Sequence, residues 1–527
     1  MRKLSSRHRW GTVGLLVPVA LAVTVAVGGS SASGADPTAK PAAGISSLTV
    51  ANVSSPWPSL GPPPAKWSAA FVVNYMNAIY GELFRRNTNG EVIPGLAQSW
   101  DYSKSDRSLI IHLRKNVKFS DGTPFNAEAV RQHLHNSLLP ANQCQCLGAF
   151  VNVERVTTKG NYDVVLTLKQ KDTTLPQQFV SQAPNWVPSP TALKKMGAAA
   201  FGQAPVGAGP YKVVSNVASS KLVLKANPLY WDKGKPYIKN LTFVNAATDQ
   251  TAYADLQAGS VQLVMGMTNP QILAQAKSKF QTEQHKGVVV YMIEFNTDKA
   301  PFNNDKARQA VAYATNPQQV LNVVSPGFGA VTQSPVGPGG TMYLAKVPGA
   351  RTYNLAKAKQ IVQKMGGLSF KFSYITTTAL YPLGAQALAQ QWRAAGIDVK
   401  LNPVALATYQ QDLLNRSWDS VFTVEGGADP SVGVSSSLPE KYGLVGQQTC
   451  CHDITLAKKL HLLGETRDPA KRQARAFDLY HYISAKQYSV PLFSLPTVLV
   501  GVKGLNGLDP APNGSAGKEL VPWDTLK

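Results

Sequence analysis

Acidic residues are scarce in this chain: 30 Asp and Glu stand against 52 Lys and Arg in 527 residues, a formal charge of +22. Histidine is rarer still, with eight copies, and cysteine has four. After the first thirty residues no long apolar run occurs, so no further membrane span is expected. The common catalytic signatures are missing too: no G-x-S-x-G elbow, no H-E-x-x-H, no phosphate-binding P-loop and no G-x-G-x-x-G fingerprint. Paired carboxylates that meet only in space need no local motif, so an exported hydrolase stays open as an alternative. The lysines and arginines are scattered, without a basic helix or an aromatic-basic box, which argues against nucleic acid as a partner. Such an excess of positive charge instead favours anionic surroundings, such as wall polymers, lipid headgroups or acidic ligands.

What is present begins with a leader. Arg2, Lys3, Arg7 and Arg9 precede an uncharged apolar stretch from Gly11 to Val27, and Ser33-Gly34-Ala35 follows. This pattern predicts a signal peptide over 1–35 and an extracytoplasmic location, periplasmic or at the cell surface. Those four charges removed, +18 remains on the rest. Residues 36–44 are small and Pro-rich, a flexible tether. The cysteines form two close pairs, Cys144/Cys146 and Cys450/Cys451. Outside the cytoplasm disulfides are expected, and three connectivities are open. His133, His135 and His452 lie near these pairs, but zinc-ligand spacings are absent.

Beyond residue 45 strand and helix patterns alternate, as in an α/β protein. Leu109, Ile111 and Leu113 alternate with other residues, as do Val164, Leu166 and Leu168. Asn126, with Glu128 behind it, predicts a helix start; Asn354 predicts another, closed by Gly366-Gly367; Asp468-Pro469 opens a third. Strands are expected at Phe370–Ile375 and Ile397–Leu401, with a helix carrying Ala385, Leu388, Ala389 and Trp392 between them.

Three blocks stand out. The first runs from Ile79-Tyr-Gly-Glu-Leu-Phe84 through Gly90-Glu-Val-Ile-Pro-Gly-Leu-Ala-Gln-Ser-Trp100 to the stretch His112–Val130, which contains Val117-Lys-Phe-Ser-Asp-Gly-Thr-Pro124. The second is Ala204-Pro-Val-Gly-Ala-Gly-Pro-Tyr211 with Asn227-Pro-Leu-Tyr-Trp231; Gly207 and Gly209 are expected to permit a turn. The third is Glu294-Phe-Asn-Thr-Asp-Lys-Ala-Pro-Phe302 with Ala307-Arg-Gln-Ala-Val-Ala-Tyr-Ala314. Together with Val490-Pro-Leu-Phe493 these resemble the bacterial extracellular solute-binding proteins of family 5, the dipeptide-, oligopeptide- and nickel-binding components of ABC importers.

The resemblance implies a large periplasmic-binding-protein-like α/β fold with two hinged lobes, the first bearing an extra subdomain. On this plan lobe I takes residues 45–75, its extra subdomain 76–194, lobe I again 195–288, lobe II 289–489, and lobe I returns over 490–527. It also implies a binder with no enzymatic activity, no cofactor and no resident metal. Such a binder works as a monomer, holds a peptide or other small solute in the cleft and hands it to a membrane permease. A secreted sensor on the same fold is the remaining alternative.

Peptide-binding members carry an Asp three residues before an Asp-Pro pair, which holds the ligand's α-ammonium. Here the stretch is Thr423-Val-Glu-Gly-Gly-Ala-Asp-Pro430, and the anchor position is Gly426. Glu425 and Asp429 are the nearby carboxylates, either ligand contacts or solvated loop groups. Trp57, Trp186, Trp418, Tyr374 and Tyr381 are candidate stacking surfaces, with core packing as the alternative for each. Asn296 is a candidate hydrogen-bond donor to the ligand or a turn stabiliser.

Overall fold

The computed structural model describes residues 45–53, 57, 59–61, 69–142, 144, 146–147, 149–180, 182–376, 378–426, 453–508, 511–512 and 519–527. Strand β1 (Ser47–Val53) opens the first sheet. The chain then leaves for a short hairpin, β2 (Phe84–Arg86) and β3 (Val92–Pro94). Next comes a four-stranded sheet of β4 (Ala97–Tyr102), β5 (Ser108–Leu113), β6 (Val153–Lys159) and β7 (Asp163–Leu168). The first sheet resumes with β8 (Tyr211–Val217), β9 (Lys221–Ala226), β10 (Asn240–Ala246), β11 (Leu263–Met265) and β12 (Gln281–His285). A second large sheet follows: β13 (Val289–Phe295), β14 (Ala330–Val331), β15 (Leu368–Ile375), β16 (Ile397–Val404), β17 (Ser420–Gly426) and β18 (Ser489–Ser494). Strand β19 (Thr497–Gly501) then rejoins the first. The spatial orders are β12-β19-β11-β1-β10-β9-β8, β4-β5-β7-β6, and β14-β18-β13-β17-β15-β16.

The expected capping chemistry is in place. Asn126 accepts from the Ala129 amide at the head of helix Ala127–Leu138, Asn354 from Lys357 ahead of Leu355–Lys364, and Asp468 from Lys471 ahead of Pro469–Lys486. The Asp121-Gly122 turn is closed by the Asp121 carboxylate, which accepts from both the amide and the hydroxyl of Thr123. Gly207 and Gly209 do something other than turn the chain. A Cβ on Gly207 would lie 2.4 Å from the Ile79 carbonyl oxygen, and one on Gly209 would lie 2.6 Å from the Gly81 nitrogen. They let two backbones touch.

One apolar cluster joins the inner face of the first sheet (Val50, Leu224, Phe243) to the four-stranded sheet (Leu109, Ile111, Leu166), so the extra subdomain shares its core with the first lobe. A separate cluster, including Ile293, Phe372, Trp392 and Phe422, fills one face of the second sheet. In β5 and β7 period-2 alternation turns every second residue inward, whereas β13 is buried almost throughout and helix Leu380–Ala394 adds Leu388 and Trp392 to the second core. Cys144 and Cys146 form a disulfide with Cα atoms 5.0 Å apart, one of the three expected connectivities; Cys450 and Cys451 lie outside the described residues. The nearby His133 is buried and its Nε2 bonds the Ala183 carbonyl at 3.1 Å; burial holds its pKa down to about 4. No helix among the described residues is long and apolar enough to cross a membrane.

Candidate functional site at the junction of the two sheets

Two short crossovers connect the sheets: Lys286-Gly287-Val288 between β12 and β13, and Leu495-Pro496 between β18 and β19. The return was expected at residue 490, but β18 pairs with β13 and stays in the second sheet through Ser494. The apolar run Val490-Pro-Leu-Phe493 fits either sheet, and only its pairing partner decides. A third segment, residues 332–340, lies against both crossovers. The Gly337 amide donates to the Val288 carbonyl at 2.9 Å, and the Gly339 amide to the Gly287 carbonyl at 3.0 Å. Ser494 Oγ donates to the Val289 carbonyl at 2.6 Å. No side chain fits here. A Cβ would stand 2.0 Å from the Leu495 oxygen at Gly287, 2.3 Å from the Gly287 oxygen at Gly337, and 2.1 Å from the Lys286 oxygen at Gly339.

Strand direction then fixes what faces this junction. In the first sheet β1 runs parallel to β10 and β11, so Val53, Ala246 and Met265 end on one edge. Met265 pairs with Leu499 of antiparallel β19, near its start, which puts that edge beside the crossovers. In the second sheet Gly426, the end of β17, pairs with Val289, the first residue after a crossover. Strands β15 and β16 run parallel to β17, so Ile375 and Val404 end on the same side. Both sheets thus turn the carboxyl ends of their parallel strands towards one seam, the place where open α/β sheets bind ligands.

A second contact joins the lobes away from the hinge. The Thr173 amide and Oγ1 both donate to the Gly464 carbonyl, at 2.9 and 2.8 Å. Arg472 Nη1 donates to Thr173 Oγ1 at 3.3 Å and to the Thr466 carbonyl at 3.2 Å. Asp172, whose carboxylate caps Thr174 and accepts from Asn152, lies in the same buried patch. At its rim Arg467 pairs with Asp106 at 3.0 Å and lies over the Tyr102 ring. These residues bring the four-stranded subdomain against helices Ile454–Gly464 and Pro469–Lys486.

The residues singled out from sequence divide into three groups. Tyr374 and Tyr381 flank the loop that leaves the seam edge of β15, but both are buried in the second sheet's apolar cluster; the Tyr381 ring packs 5.3 Å from Phe422. Glu425 is on β17 at the seam edge, with its side chain outside the described residues, as is the whole of Asp429. The others are corrected as cleft-facing groups. Trp57 is fully buried, donates Nε1–H to Asn216 at 2.9 Å and packs on Tyr75. Trp186 is buried and donates to Asn77 at 2.7 Å. Asn296 Nδ2 ties the end of β13 to the carbonyls of Trp418 and Arg416, which is its turn-stabilising role. Trp418 is buried against Tyr409, Leu413 and Val421. Asn296 and Trp418 sit at the edge of the second sheet opposite the seam, about 20 Å from it at the usual strand rise.

One buried group stands out electrostatically. Glu294 on β13 is 3% exposed, its Oε2 has no hydrogen-bond partner, and burial pushes its pKa up to about 8. A cavity of about 480 Å³ also opens between helices Ala127–Leu138 and Pro190–Gln203, lined by Gln132, His133, Asn136 and Lys194, far from the seam in the chain's topology.

Comparison with known proteins agrees with this architecture. The family model for bacterial extracellular solute-binding proteins, family 5 Middle, matches residues 91–439. The nickel-binding periplasmic protein of Escherichia coli (strain K12) is 25% identical over 497 residues, covering 85% of this chain and 89% of that protein. Glutathione-binding protein GsiB of Shigella flexneri serotype 5b (strain 8401) is 28% identical over 290 residues, 55% of this chain and 56% of its own. Among solved structures, NikA from Brucella suis in complex with Fe(III)-EDTA superposes with a TM-score of 0.75 at 22% identity, covering 91% of this chain and 99% of that one. The dipeptide binding protein from Pseudoalteromonas sp. SM9913 in complex with Met-Leu superposes with a TM-score of 0.73 at 19% identity, covering 90% and 100%.

Proposed function

Because the chain belongs to family 5 of the bacterial extracellular solute-binding proteins, we propose that it captures a small peptide-like solute at the seam between its lobes and presents the closed complex to an ABC permease. It is a binding component of an importer and not an enzyme. One observation carries the cargo site: carboxyl strand ends from both sheets converge on two crossovers of three and two residues. Connections that short act as a hinge, so the seam opens and shuts as the lobes rotate. The Thr173–Gly464 contact supports the reading as the far-side closure of that motion. A ligand that touches both lobes binds the closed form better and shifts the population towards it.

The peptide assignment rests on the relatives, one named for glutathione and one solved with a dipeptide. Glu425 and Asp429 are the carboxylates proposed to meet a cationic end of the cargo. Native mass spectrometry of protein purified without denaturation tests the reading, followed by calorimetry with dipeptides, tripeptides, glutathione and nickel–histidine. The expected result is a co-purified adduct released with unchanged mass, and saturable heat with the peptides that Glu425→Gln weakens. Saturable binding of nickel–histidine alone would remove the peptide assignment. A released product differing in mass from the ligand supplied would overturn the binding role itself.

A further inference from the structure

The first sheet is covered unevenly. On its outer face helices Asp249–Gln257 and Pro270–Lys279 pack over β1, β10, β11 and β19, through Ala51, Val264 and Val500. Nothing among the described apolar clusters covers the outer face of β8 and β9. There Leu222 and Leu224 point into the core, so alternation turns Lys221, Val223 and Lys225 outward. Strand β8 is the sheet's edge, and it bulges between Val213 and Ser215. Val214 and Val217 are consequently 60% and 62% exposed, the two most exposed large apolar side chains among those described.

The charge on this face is one-sided. Residues 211–239 hold six lysines and a single carboxylate, Asp232, which pairs with Lys235 at 2.9 Å. Lys212 stands directly opposite Lys225 in the β8–β9 register. Like charges facing across two strands repel, and no described carboxylate pairs with Lys212, Lys221 or Lys225. Lysines on an edge strand do guard against sheet-to-sheet aggregation. That role, however, is served by charge alone and leaves two bare valines, Val214 at the bulge and Val217 at the end of β8, unexplained. Lysines beside exposed apolar tips are the pairing an anionic bilayer surface recognises: phosphate headgroups take the ammonium groups, and the boundary below them takes the valines.

We infer that the β8–β9 face docks on the anionic lipid surface of a membrane, holding the binding protein near the bilayer independently of its cargo. A soluble polyanion would satisfy the lysines but leave the valines in water, so the bilayer is the occupant that uses both.

The test is flotation of the purified protein with vesicles of phosphatidylcholine alone or with 30% phosphatidylglycerol. Binding is expected only to the anionic vesicles and is expected to weaken between 25 and 300 mM salt. The variant K212Q/K221Q/K225Q should lower the partition coefficient on the order of a hundred-fold, about five-fold per lysine. K359Q/K364Q/K400Q, which removes equal charge from the second lobe, should leave it within two-fold. V214S/V217S should lower it further at high salt, where charge is screened. Three results would each overturn the proposal: equal loss in the two lysine variants, equal binding to neutral vesicles, or binding to soluble polyphosphate without binding to vesicles. The salt titration of the unmodified protein keeps the test intact if a variant folds poorly.

Discussion

Replacing Thr173 by Val isolates the far-side contact between the lobes. Valine keeps the shape of threonine and the backbone bond from the residue 173 amide to Gly464, but removes Oγ1. With it go its one proton, donated to the Gly464 carbonyl at 2.8 Å with the Thr466 carbonyl at 3.3 Å as a longer second acceptor, and the acceptor for Arg472. Arg472 keeps the Thr466 carbonyl, so its guanidinium is not stranded. A hydroxyl bond of this kind contributes a net ~1 kcal/mol, and partial loss at the charged donor raises the total to about 1–2 kcal/mol. If the contact forms only when the lobes shut, the closed-to-open ratio falls roughly 5- to 30-fold, because each 1.4 kcal/mol is tenfold. Single-molecule energy transfer between dyes on exposed positions of the two lobes reads that ratio without knowledge of the cargo. An unchanged distance distribution, with the unfolding free energy from urea denaturation lowered by the same ~1–2 kcal/mol, would show a permanent strut and sink the closure argument.

Two further outcomes follow from the hinge and from the buried acid. Gly337→Ala puts a methyl group 2.3 Å from the Gly287 oxygen and 2.6 Å from Ser494 Oγ, both hard to move; a stability loss of about 1–3 kcal/mol and a distance distribution displaced from that of the parent protein are expected, whereas parent-like values in both would remove this segment from the hinge. Glu294 has a folded pKa of about 8, above its ordinary value, so its stabilising contribution is complete below the unfolded pKa and is lost as pH rises through 8, at ~1.4 kcal/mol per pH unit. Urea denaturation should therefore show Glu294→Gln gaining on the parent between pH 5 and 8, by up to roughly 4–5 kcal/mol; parallel curves would contradict the burial argument.

Local chemistry was readable without coordinates. Asn126, Asn354 and Asp468 announced their helices because capping depends on residues three positions apart, and the alternation of Leu109, Ile111 and Leu113 announced β5 for the same reason. The family motifs likewise carried the two-lobe plan. Pairing between distant segments was not readable. That β18 belongs with β13, or that Thr173 meets Gly464 across 291 positions, leaves no local trace. The choice between stacking surface and core packing for the tryptophans was open for a related reason: each indole N–H of Trp57 and Trp186 is satisfied by an Asn far away in sequence, which makes full burial possible in a way no neighbouring residue reveals. Trp418 is packed with Tyr409, Leu413 and Val421, and Trp418→Ala should unfold part of the second lobe's edge. The glycines of 332–340 were visible as glycines, but what they approach was not.

Strand β19 has a consequence for how the protein is made. It lies inside the first sheet, with β12 on one side and β11 on the other, yet it comes more than two hundred residues after either. Until residue 501 leaves the ribosome, β11 presents a bare edge and β12, whose one described pairing is with β19, has no strand partner. The lobe that starts first is therefore completed late, and a nascent chain of this protein stays unfinished, threadable and in need of protection through most of its synthesis.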